Sequence, residues 1–323
     1  MNSQPNFQIQ ITQIGGSMVS IGTHKLFISV TGSRSSPQDP VVIIIPGAGD
    51  VASSYPVLKR LLQPFTQILL YDRSGLGQSE KGPHRPTAIQ SAKELHALLA
   101  AVKISPPLLL VAHSYGGIIA REYLHLFPQD VSGMVLCDAA TERNHEFFRV
   151  PDPNIHAVLG NLRYAQVTGL REESKLSRDE LRTRAIDIAR GVETSHSETE
   201  GYLEVCQSLG SKEQVRNRAM GDKPLSVIHA NSARDYRRIY EAGVKAGNGT
   251  EEQREAFWKL LENWDEISKE LQEEQLGLSS NSRLVCLEDC GHHVHLVRPD
   301  VLAEEIRWVK DQILESSKGN MRL

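Results

Sequence analysis

The chain predicts an α/β fold: a mostly parallel central sheet with helices on both faces and an inserted helical cap. Three observations carry this. Short, unbroken apolar runs such as Val41–Ile45 and Leu108–Ala112 alternate with amphipathic stretches, the pattern of parallel strands buried on both faces. The second of those runs passes through a short turn containing Ser and Gly directly into a helical pattern at Ile118–Leu124. From about Thr141 to Asp222 the strand-like runs vanish and helical signals replace them.

Each element follows in chain order. Phe7–Ile11 and Ser17–Val30 read as a starting hairpin, with Gly15-Gly16 and Gly22 in turns and Leu26, Ile28 and Val30 alternating with period two. Val41–Ile45 is a buried strand ending in the glycine-rich turn Pro46-Gly-Ala-Gly-Asp50. A helix is expected over Val51–Leu62, a strand over Gln67–Tyr71, and a helix opened by Pro86 running to Leu99. After the Leu108 strand and its helix, Val131–Leu136 is the next strand and closes on Cys137-Asp138. Within the cap, Ser177 with Glu180 reads as a capping box, with Leu181, Ala185, Ile188 and Ala189 on one face; Ser197 with Glu200 reads as a second box. Pro224–His229 returns to the sheet. The long connection 231–280 holds a helix capped by Thr250 and Gln253, with Phe257, Leu260, Leu261, Trp264, Ile267 and Leu271 as a stripe that docks on the core. Arg283–Leu287 is the last strand and Pro299–Leu314 the closing helix. The expected division is a core of residues 1–140 and 223–323, with 141–222 as the cap.

Composition narrows the function. The 323 residues are 40% hydrophobic, enough for one large domain with an insertion. The 36 basic and 40 acidic residues leave a net charge of −4 with no basic stripe, which argues against nucleic-acid binding. No apolar run approaches the length of a membrane span. The N-terminal stretch lacks the basic-then-apolar pattern of a signal peptide, so a cytoplasmic location is expected. Four cysteines in a chain this long make no disulfide framework; Cys137 and Cys286, inside apolar runs, are expected to be buried thiols.

Strand, sharp turn with Ser114 at its apex, then helix is the context of a nucleophile elbow. The usual pattern is Gly-x-Ser-x-Gly; here Ala112 takes the first glycine's place, one methyl larger. Five segments occur in a telling order: Ile43-Ile-Ile-Pro-Gly-Ala-Gly49, Tyr71-Asp-Arg-Ser-Gly-Leu-Gly-Gln-Ser79, Ala112-His-Ser-Tyr-Gly-Gly117, Met134-Val-Leu-Cys-Asp138 and Gly291-His-His-Val-His-Leu-Val-Arg-Pro299. On these segments the chain resembles the α/β-hydrolase superfamily, in its serine esterase and lipase-like branch, over most of its length outside residues 141–222.

The resemblance implies roles. Ser114 would be the nucleophile, needing an adjacent base. His292, directly after Gly291, matches the base; His293 and His295 would support or pack. The acid that orients the base is Asp138 or Asp235. Asp235 follows the strand that more often carries it, but Ile228–Asp235 lacks the usual glycine-rich turn, so Asp138 is preferred. The main-chain amides of Ala48 and Tyr115 would form the oxyanion hole. Asp72 and Arg73 would brace loops, and His113 would be structural. Three histidines near Cys286 and Cys290 also permit a metal reading, but zinc wants well-spaced ligand pairs and no partner pair appears, so no metal or other cofactor is expected.

The resemblance therefore implies a serine hydrolase that cleaves a carboxylic ester, lactone or thioester of a mostly apolar small molecule. Epoxide and haloalkane hydrolysis are disfavoured, because those members use an Asp nucleophile. A carbon–carbon bond hydrolase on the same triad and a non-hydrolytic ligand receptor on the same fold are the alternatives. Cap side chains set the substrate, and they and the oligomeric state have no signature in the sequence.

Overall fold

The computed structural model describes residues 14–320. Eight strands form one sheet: β1 (Ile14–Ser20), β2 (Lys25–Thr31), β3 (Val41–Ile45), β4 (Ile68–Tyr71), β5 (Leu108–His113), β6 (Val131–Cys137), β7 (Leu225–Ala230) and β8 (Ser282–Leu287). Their order across the sheet is β1-β2-β4-β3-β5-β6-β7-β8. The β1–β2 and β2–β4 pairs are antiparallel and every later pair is parallel. The Phe7–Ile11 half of the expected hairpin lies outside the described residues.

The register sets the position of the site. Ile45 pairs with Ala112, His113 with Cys137, Cys137 with Ile228, and Ala230 with Leu287. The parallel strands therefore finish level, and whatever follows each of them lies along one rim, where α/β sheets bind ligands.

The alternation of side chains splits the core in two. Ile43, Ile45, Leu108, Leu110 and Ala112 face one side, under α2 (helix Ala88–Ala101) and α3 (Gly116–Leu126). Val42, Ile44, Leu109 and Val111 face the other, under α1 (Pro56–Leu62) and the closing helix Pro299–Asn320. The α1 helix is shorter than Val51–Leu62: Ala52–Ser54 is a 3₁₀ turn and Pro56 starts the helix proper. Proline tolerates the first helical turn but not its interior.

Between β6 and β7 the described chain is helical throughout: α4 (Asn144–Phe147), α5 (Pro153–Leu159), α6 (Tyr164–Val167), α7 (Leu170–Glu173), α8 (Arg178–Arg190), α9 (Val192–Glu200) and α10 (Tyr202–Gly210). The Ser177–Glu180 capping box forms. The face of α8 read from its apolar residues is only partly covered: Leu181 packs on the core and Ile188 is half-buried, but Ala185 and Ala189 are exposed, while Asp187 is buried and pairs with Arg190 at 2.8 Å. The expected box at Ser197 does not form either. Ser197 lies inside α9 and its hydroxyl donates to the Glu193 carbonyl one turn back, an alternative open to any mid-helix serine.

After β7 come α11 (Ser232–Lys245) and α12 (Glu251–Glu274), the latter with the Thr250–Gln253 box. Phe257, Leu261 and Trp264 of α12 pack with Ile239 of α11 and Val158 of α5 into a third cluster, so the stripe docks on one helix from before β7 and one from after it. The chain closes with α13 (Val294–Val297) and α14 (Pro299–Asn320). Cys137 is buried in central β6, but Cys286 is exposed. Its strand, β8, is the sheet's edge and has a neighbour on one side only. Among the described residues no helix is long and apolar enough to cross a membrane.

Candidate active site

Ser114 follows β5 at φ +53°, a conformation rare outside glycine. Its neighbours hold it there. The Ser114 amide donates to the Cys137 carbonyl at 3.3 Å, and the Ser114 carbonyl accepts from Gly117 at 2.8 Å and Ala140 at 2.9 Å. Glycine is required at 116, because a Cβ there would stand 2.2 Å from the Ile45 carbonyl oxygen. Ala112, in the place of the usual first glycine, is fully buried inside β5, where its methyl fits.

Asp138 ends β6 at φ +42°. Its amide donates to the Ile228 carbonyl at 2.7 Å, and one carboxylate oxygen accepts from the Ala230 amide at 3.1 Å. Both contacts tie it to β7. The other oxygen lies 2.6 Å from His292 Nδ1. Asp235, in the first turn of α11, also reaches His292, but at the main chain: its carboxylate accepts the His292 amide at 3.0 Å. A Cβ at Gly291 would stand 2.1 Å from that carboxylate, so glycine is what lets Asp235 approach. The two acids thus divide one histidine, Asp138 holding the ring and Asp235 holding the backbone.

The environments differ accordingly. Burial pushes the Asp235 carboxyl up, against the pull of the His292 amide. Burial alone would lower His292, but the hydrogen bond and charge of Asp138 outweigh it and hold the imidazole above its ordinary value. Burial holds His113 and His293 well below theirs, and lowers His295 less.

Ala48, Ser114, Tyr115, Asp138 and His292 line one cavity of about 370 Å³. Among the described residues the Ser114 hydroxyl makes no hydrogen bond to the His292 ring; in unliganded sites that contact is commonly long and tightens with substrate. The main-chain N–H groups of Ala48 and Tyr115 donate to no acceptor within the described protein. The direction of the Ala48 amide has a traceable cause. Arg73 Nη1 and Nη2 donate to the Pro46 and Gly47 carbonyls, each at 2.7 Å. A trans peptide points its N–H opposite to its C=O, so seating the Gly47 carbonyl on Arg73 turns the Ala48 N–H away from it.

Arg73 is itself held from the cap side. Glu198 of α9 accepts from Arg73 Nε at 2.8 Å and Nη2 at 2.9 Å, and from the Gly49 amide at 2.8 Å. Both side chains are buried, at 2% and 1% exposure. Asp72 braces the same region, accepting from the Ala52 and Gln78 amides. The sequence marks Asp72 and Arg73 as loop braces but carries no signal for Glu198, which lies 125 residues from Arg73. It also leaves the backbone role of Asp235 undetected.

Three comparisons bear on identity. An "AB hydrolase superfamily protein" of Gibberella zeae is 32% identical over 298 residues, covering 88% of this chain and 91% of that one. "Probable transporter efuK" of Hormonema carpetanum is 32% identical over 301 residues, 91% of this chain but 42% of that protein, so this chain spans less than half of it. Among solved structures, a thermophilic esterase from Thermogutta terrifontis aligns with a TM-score of 0.60 over 93% of this chain and 99% of that one; at 14% identity this is a likeness of fold alone. The model of the alpha/beta hydrolase family matches residues 42–305, which hold the parallel strands β3 to β8 and the helices among them, and the chain belongs to that family.

Proposed function

We propose that the protein is a serine hydrolase that cleaves a carboxylic ester, lactone or thioester of a mostly apolar small molecule. The observation that carries the reading is His292, its Nδ1 bound to Asp138 while the residue lines the cavity that Ser114 also faces. With Nδ1–H given to Asp138, a neutral ring has its lone pair on Nε2. Nε2 takes the Ser114 proton as the hydroxyl attacks the carbonyl carbon, and the imidazolium is stabilised by Asp138. The amides of Ala48 and Tyr115 donate to the oxyanion. His292 then protonates the leaving alcohol or thiol, and a water activated by the same nitrogen hydrolyses the acyl-enzyme. No metal or other cofactor enters the scheme.

The walls support an apolar substrate. Phe148, Ile155, Leu159, Tyr236, Leu260 and Trp264 line the same cavity as Ser114. Four of these come from segments after β6 and before β7 or from α11, and Leu260 and Trp264 from α12, so the working cap on this reading is 141–222 together with α11 and α12. The test is a short-chain nitrophenyl ester assay beside labelling with a fluorophosphonate. Wild type is expected to turn over and to label at Ser114, and Ser114→Ala to do neither. Absence of labelling in folded wild type would sink the reading.

A further inference from the structure

Behind the His292 ring, three other imidazoles come together from two distant parts of the chain. His113 ends β5, and His293 and His295 lie on the loop and short helix after β8. Each offers a ring nitrogen within 4.8 Å of the other two. His113 and His295 are buried, while His293 is partly open to solvent. Nδ1 of His113, Nδ1 of His293 and both ring nitrogens of His295 are buried without hydrogen-bond partners. Such atoms cost free energy unless something satisfies them.

Two of these rings, His113 and His295, have an oxygen on the far side. His113 Nε2 is 2.9 Å from the His292 carbonyl, so it carries the proton and Nδ1 carries the lone pair. His295 Nε2 stands 3.3 Å from Asp50 Oδ2, an oxygen that has no hydrogen-bond partner either. A ring that donates one nitrogen to a carbonyl or carboxylate and keeps a lone pair on the other is the usual state of a metal-bound histidine. Tyr55 stacks on His295 at 4.5 Å and fixes its plane.

We propose that His113, His293 and His295 form a binding site for one zinc-type divalent ion. Three neutral imidazoles suit zinc, cobalt, nickel or copper and do not suit calcium or magnesium. A point between three nitrogens so placed is at most about 2.8 Å from each, against about 2.0–2.1 Å for a zinc–imidazole bond, so each ring moves by less than about 1 Å. The charges nearby are Asp50, which favours a cation, and Arg184, which opposes it but is drawn toward Asp50 at 3.4 Å. Sequence spacing misses the site because His113 lies 180 residues from His293 and ends β5, three places along the sheet from β8. Binding at this site does not depend on the serine-hydrolase reading.

The test uses the full chain stripped with chelator and titrated with Co²⁺. The expected result is one bound equivalent with visible ligand-field absorption, displaced by Zn²⁺, and loss of that equivalent in His293→Phe and in His295→Phe. Thermal unfolding of each variant without metal checks that it folds. Asp50→Asn, which removes the outer carboxylate and with it the charge that draws Arg184 aside, is expected to weaken binding by about 10- to 100-fold. Independently of any variant, anomalous diffraction from zinc-soaked wild-type crystals should place the ion among the three rings. A water only at that point, or Co²⁺ binding unchanged by both Phe variants, overturns the proposal.

Discussion

His292 is served by two carboxylates in non-equivalent ways, and the difference can be measured. Asp138→Asn leaves the ring without the acceptor that orients it and stabilises imidazolium. On the proposed mechanism kcat should fall by about three to four orders of magnitude. Asp235→Asn loosens only the main chain and should cost about tenfold or less; the reverse ranking would transfer the role to Asp235. The pH profile provides a second reading. Turnover requires neutral His292, so kcat/KM falls as pH drops through its pKa. The bond and charge of Asp138 hold that pKa above 6.5 despite burial, so the acidic limb of chelator-treated wild type is expected above pH 6.5. In Asp138→Asn burial is opposed only by the weaker pull of Asp235 and Asp50, and the limb should move to lower pH. Arg73 acts through the Ala48 peptide, so Arg73→Lys should lower kcat by about 10²–10³, the worth of one oxyanion donor, with KM little changed. A matched rise in KM would mean that Arg73 serves the cavity's shape instead.

The long helix α12 shows how an element can be legible while its partner is not. Its capping box and its stripe at 257, 261 and 264 can be read from residue types and spacing alone, and both are present. What the stripe packs against is α11 and α5, on opposite sides of β7 in sequence. Trp264 is the joint: 7% exposed, stacked on Tyr236 at 4.0 Å and donating its indole N–H to Ser232. Trp264→Ala is expected to destabilise the protein by about 3–5 kcal/mol, seen as a lower midpoint in chemical unfolding. A loss under 1 kcal/mol would mean that the α5–α11–α12 cluster is held elsewhere. The Ser197 box failed for a complementary reason. Its residues satisfy the motif, but the chain from Val192 is already helical, and a serine inside a helix bonds backward.

At the level of the whole molecule, the sheet acts as a ruler. Parallel strands that finish level place the turns after β3, β5, β6 and β7 on one rim, and the inserted helices cover it. The deepest link between the two layers is Glu198, which binds Arg73 and the Gly49 amide from the cap side. Exchange of such a buried partner strands a charge, which typically costs several kcal/mol. The loop after β3 and α9 are therefore one mechanical unit.

The sequence by itself determined the strands, the elbow and the order of the chemical groups, because each is a local pattern: a buried apolar run, a turn that only small residues survive, a polar residue at a strand's end. It singled out Ser114, His292 and Asp138 against Asp235 before any distance was known. Tertiary structure alone decided how the two acids share one histidine, that an edge strand leaves Cys286 exposed, that Glu198 anchors the loop after β3, and that His113 joins His293 and His295. These depend on which residues the folded sheet brings to the same point from positions 50 to 180 residues apart, and such closure has no periodicity to betray it.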